Sequence, residues 1–209
     1  MAEAKSHLTG SYVIDPVHSR IGFAVRHAMV SKIHGSFNEF DGSGFFDADD
    51  PSKSRLQLTI KADSIDTRNP DRDAHLRTND FFDMDNHPEL TFTSTSVEAA
   101  GDDAFLVTGD LTIRGVTNPV TIDFEYTGAA TDPFGNNRVG FEGKTEVNRK
   151  DWGINWNAAL DAGGVMIGDK QLDLEKGEIG LHSTPTVVND TVIVGSSMFE
   201  GLGYRYSTN

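Results

Sequence analysis

The sequence predicts an all-β chain of about eight antiparallel strands, closed as a barrel or stacked as a sandwich, with one short helix. Three observations predict it. Apolar and polar residues alternate with period two along most of the chain. Turn-forming residues cut these runs at short intervals. A single segment with helix-start chemistry breaks the alternation.

The alternation is read strand by strand. Leu56, Leu58 and Ile60 alternate with Gln57, Thr59 and Lys61. Phe105, Val107, Leu111 and Ile113 share one parity, with Gly109 among them and Asp110 and Thr112 on the other. Val120, Ile122, Phe124 and Tyr126 alternate with Thr121, Asp123 and Glu125. Val139, Phe141 and Val147 alternate with Arg138, Glu142, Lys144 and Glu146, and Leu172 and Leu174 with Gln171, Asp173 and Glu175. Successive strand side chains point to opposite faces, so each run has one apolar and one wet face.

Turns are expected at Asp41-Gly42, Asp50-Pro51, Gly101 to Asp103, Arg114-Gly115 through Asn118-Pro119, Asp132 to Asn136, and Gly163-Gly164. Connections this short make neighbours antiparallel, because a parallel crossover needs a dozen residues or more. The helix is expected to begin at Pro70, with Asp71 and Asp73 in its first turn. Leu76 then faces inward, and Phe81 and Phe82 lie just beyond.

The 209 residues suffice for one sizeable core. The formal charge of -14 argues against nucleic acid and anionic membrane surfaces, which need clustered Lys and Arg. The longest early apolar stretch, 21–30, is broken by Arg26 and His27, so no membrane span is expected. With no cysteine there is no disulfide, thiolate or Cys-held metal. The first residues lack an apolar leader core, which gives a cytoplasmic expectation.

No catalytic constellation is legible. There is no Walker loop, no dinucleotide fingerprint and no nucleophile elbow. His18, His27, His34, His75 and His87 match neither a zincin helix nor a finger, and read as surface or rim histidines; no metal and no cofactor is expected. Arg72, Asp73, Arg77 and Asp80 read as a network locking the helix to the rim. The many phenylalanines read as core, but glycines at Gly109, Gly140 and Gly143 suggest space left inside for an elongated apolar guest. Strand parity then nominates Phe23, Val25, Leu58, Ile60, Phe92, Leu111, Ile113, Phe124, Phe141 and Trp156 as lining, with His27, His75 and Arg77 near the polar end.

Several ordered motifs carry a resemblance. They include Tyr12, Val13, Ile14, Asp15, Pro16, Val17, His18 and Ser19 at the start, then Gly35, Ser36 and Phe37. Arg72, Asp73, Ala74, His75, Leu76 and Arg77 follow with Asp80, Phe81, Phe82 and Asp83; His87, Pro88 and Glu89 come next. Gly109 to Thr117 and Arg149 to Trp156 complete the series. Together they resemble the YceI, or polyisoprenoid-binding, family. That resemblance implies an extended eight-stranded antiparallel lipocalin-like barrel over residues 10–180; 181–209 departs from it as a C-terminal extension. It implies a non-catalytic carrier for a polyisoprenoid or isoprenoid quinone, and allows a homodimer. The alternative is a metal-dependent or lipid-modifying enzyme using the rim histidines. The extension, with Pro185, Val187, Val188, Val192, Ile193 and Val194, resembles a strand pair from a quinoprotein dehydrogenase propeller.

Overall fold

The computed structural model describes residues 5–27, 31–133, 135–159, 166–168, 179–180 and 191–193. The predicted strand around Leu172 and Leu174, the Gly163-Gly164 turn and most of the extension lie outside the described residues.

The strands are β1 (Gly10–Val13), β2 (Arg20–His27), β3 (Ser31–Phe37), β4 (Phe40–Phe46), β5 (Arg55–Lys61), β6 (Ile65–Asp66), β7 (Glu89–Ala99), β8 (Ala104–Ile113), β9 (Val116–Thr131), β10 (Asn137–Lys144), β11 (Ile179–Gly180) and β12 (Thr191–Ile193). Among the described residues one α-helix, α1, spans Pro70–Arg77. The sheet order is β1-β4-β5-β7-β8-β9-β10-β11-β2-β3-β6.

That order reconciles with eight strands because three of them are bent. β1 pairs β4 while β2 pairs β3, so β1 with β2, and β3 with β4, are successive halves of two long strands. β5 and β6 likewise pair β4 and β3 in turn. From β10 the path returns through β11 to β2, and the sheet curls into a barrel. Every described pairing of named strands is antiparallel except one. β12, from the C-terminal stretch, runs parallel to β10, with Arg138 opposite Val192.

Alternation predicts the buried face well. Phe105, Val107 and Ile113 are buried, as are Val120, Ile122, Phe124, Val139 and Phe141. Two expected turns are strand instead. Asp41 and Gly42 lie in β4, where a Cβ at Gly42 would meet the Ile14 side chain and the Gln57 carbonyl. Asn118 and Pro119 lie in β9 opposite Leu111 and Asp110; the turn is confined to Arg114 and Gly115, both at positive φ.

The helix forms as its start signals require. The Asn69 side chain accepts from the Arg72 backbone N–H, and Pro70 takes the first turn, where its missing donor costs nothing. Buried Asp73 accepts from both the N–H and the hydroxyl of Thr67. Arg72 and Arg77 spend guanidinium donors on the carbonyls of Thr67, Asp63 and Ile65. The charged cluster therefore ties α1 to β6. Among the described residues, no helix is long and apolar enough to cross a membrane.

Candidate ligand-binding site

The aromatic side chains gather towards the two ends of the barrel. At the helix end, Phe37 packs on Phe23 and Phe82, with ring centroids 5.6 and 5.8 Å away. His75 meets Trp156 and Phe81 edge-on at 4.7 and 5.0 Å. At the opposite end Phe46 and Phe105 both pack on Phe141, and Tyr126 closes on the same ring from β9.

The apolar cavity lies at that opposite end. Phe45 and Phe46, Leu56, Val97, Phe105 and Val107, Phe124 and Phe141 line it, with Ser54 and Arg55 at its edge. Its volume is about 60 Å³. Ligand sites for drug-sized molecules run to roughly 300–1,000 Å³, so this is a narrow slot between phenyl rings. Arg55 stands directly across the β4–β5 ladder from Phe45, and its guanidinium lies 5.0 Å over that ring.

The space expected at Gly109 and Gly143 is filled, as it is at Gly35. A Cβ at Gly35 would collide with the Phe23 ring, at Gly109 with Phe92 and at Gly143 with Phe124. The missing side chains admit the protein's own rings across the strand pair, and leave no free room there for a guest.

Of the nominated lining residues, Phe124 and Phe141 meet in the cavity wall. Phe23, Ile60, Phe92 and Ile113 are buried elsewhere in the same core, and Val25, Leu58, Leu111 and Trp156 pack partly buried against it. Arg77 is committed to two backbone carbonyls. His75 Nε2 lies 3.0 Å from Asp80. His27 bridges to Ile167 at the end of β2. Sequence reasoning passes over Phe45, Phe46, Leu56, Val97, Phe105 and Val107 as lining. A signal for Phe105 and Val107 exists, since both share parity with Leu111 and Ile113.

Two buried charges stiffen the frame. Asp15 is fully buried at the bend between β1 and β2; His18 Nδ1 lies 2.6 Å away, and the Val17 N–H and Arg138 Nη1 donate to it. Burial pushes its carboxyl up, but these hydrogen bonds outweigh that and hold it below its ordinary value. Arg149 donates to the carbonyls of Ile154 (2.7 Å), Trp156 (2.8 Å) and Gly168 (3.2 Å). Among the described residues, no three His, Asp or Glu side chains come together as a metal site.

Comparison with known proteins decides the family. The YceI-like domain model matches residues 12–174, a span that includes every cavity-lining residue. This chain belongs to the YceI-like family. A UPF0312 protein of Pectobacterium atrosepticum is 42% identical over 156 residues, covering 74% of this chain and 81% of that protein. A UPF0312 protein of Azotobacter vinelandii is 41% identical over 149 residues, covering 70% and 78%. Among solved structures, the Campylobacter jejuni YCEI protein aligns with a TM-score of 0.58 at 29% identity, over 78% of this chain and 98% of that one. Burkholderia cenocepacia BcnA shares the fold at a TM-score of 0.65 and 23% identity, over 75% and 93%. A polyisoprenoid binding domain from Saccharophagus degradans shares it at 0.51 and 14%, over 70% and 82%. The YceI-like fold here is thus a curled antiparallel sheet with one helix, its interior packed with phenylalanine.

Proposed function

We propose that this chain is a non-catalytic binding protein for a single long apolar chain, a polyisoprenoid or isoprenoid quinone, held inside the barrel. The phenylalanine-lined cavity at the end away from α1 is the observation that carries this reading. Family membership supports it, as does the shared fold with a domain named for polyisoprenoid binding. A slot of about 60 Å³ admits only the tip of such a ligand. Binding therefore requires Phe141, Phe105 and Phe46 to swing aside while the ligand takes over their mutual packing. Each ligand methylene buried contributes about 0.8 kcal/mol, so several isoprene units offset the parting of the rings without any polar bond.

Native mass spectrometry of the purified protein, followed by organic extraction, tests this. A stoichiometric isoprenoid or quinone is expected, and the same spectrum reads whether the carrier is a homodimer. A ligand-free mass, with no uptake of added quinone analogues, overturns the proposal.

A further inference from the structure

We infer that the cavity prefers an amphiphile whose apolar chain ends in an anionic group, and that Arg55 holds that group at the rim. This rests on the reading that the cavity admits an apolar chain. The chain has 18 basic and 32 acidic residues, and many of the basic side chains are committed to partners within the fold. Lys61 pairs with Glu89, Lys53 with Asp50, and Arg138 with Asp15 and Asp132. Arg72, Arg77 and Arg149 are spent on the protein's own oxygens.

Arg55 is different. It is exposed at the cavity edge, its guanidinium lies over the face of Phe45, and among the described residues no carboxylate pairs with it. A guanidinium presents five N–H donors in a fixed fork, the geometry that a bidentate anion takes. Beside it, the Ser54 hydroxyl oxygen accepts from the Asp47 N–H at 2.9 Å, which leaves its own hydrogen to donate.

The acids of the 47–50 loop have partners of their own. Asp47 Oδ1 accepts from the N–H groups of Asp49 and Asp50. Asp49 accepts from Ser6, and Asp50 from Ser52 and Lys53. The rim thus offers a cation and a hydroxyl donor above an apolar slot, which is the complement of a carboxylate or phosphate on an apolar tail. Because Phe45 also lines the slot, drawing Arg55 towards an anion releases one of the rings that narrows it.

The test uses the intact protein and four probes by titration calorimetry: farnesol, farnesyl phosphate, dodecanol and dodecanoate, with inorganic phosphate as the tail-less control. The anionic member of a pair is expected to bind at least about tenfold more tightly than its alcohol. Arg55→Gln is expected to bring the two members of each pair to equal affinity, whatever it does to the alcohols, while Arg55→Lys keeps part of the preference. A preference confined to one pair identifies phosphate or carboxylate as the group recognised. Equal affinities within both pairs, or a preference that survives Arg55→Gln, overturns the inference and leaves the apolar-chain reading standing. If none of the four tailed probes binds, both fall together.

Discussion

The ring of Phe124 occupies the space that a side chain at Gly143 would take. A Cβ built at position 143 would lie 2.5 Å from that ring, across the β9–β10 ladder. One wall of the cavity is therefore set by a residue with no side chain. Gly143→Ala is expected to destabilise the fold by about 1–3 kcal/mol, the usual cost of overpacking. Phe124→Leu in the same chain removes the collision, so the double variant recovers part of the loss. Urea unfolding midpoints of the two single variants and the double read this directly.

Phe141 is the hub of the cavity end, in ring contact with Phe46, Phe105, Phe124 and Tyr126. Phe141→Ala is expected to cost about 3–5 kcal/mol. It also turns a slot of about 60 Å³ into a chamber large enough to take benzene or xenon. Chemical-shift changes on adding either probe to the variant, with none in the parent protein, are the expected readout.

Asp15 makes stability pH-dependent. In the unfolded chain an aspartate titrates near about 3.9, and here the folded value is lower. The unfolded state therefore binds the proton first. The stabilisation is complete above the unfolded value and is lost as pH falls through the folded one. Asp15→Asn is expected to cost about 1–3 kcal/mol at neutral pH, with the gap to the parent closing as pH drops below about 3.9. Urea midpoints at pH 7, 5 and 3 test the direction.

Arg149 organises the segment after β10 through the carbonyls of Ile154, Trp156 and Gly168. Arg149→Met leaves those acceptors unserved and is expected to cost on the order of 3 kcal/mol. Arg149→Lys restores the charge but not the fork, and recovers only part. The two tryptophans, Trp152 and Trp156, flank this segment, so a red-shifted emission accompanies the loss.

How much is legible in the sequence follows from what each element depends on. Strands β5, β8 and β9 and the start of α1 are local patterns, and the period-two and capping signals place them. The bends that split β1 from β2 and β3 from β4 depend on which neighbour each half pairs with, and alternation carries no such information. Gly42 and Pro119 are common turn residues, and both sit in strands: Ile14 and Gln57 leave no room for a side chain at Gly42, and Pro119 faces Asp110 in the ladder. At the site, parity identifies Phe124 and Phe141 as inward. It does not say which end of the barrel keeps a void, because that is fixed by how Phe23, Phe92 and Phe124 fold over glycines on adjacent strands.

Closure through β11 has a consequence for how the protein is made. Ile21 in β2 pairs with Ile179 in β11, so the seam joins segments far apart along the chain. Until β11 has left the ribosome, the edge of β2 lacks that partner. Long-range closure of this kind folds slowly, and nascent chains with open strand edges associate readily. The vulnerable stage in this protein's life is its birth.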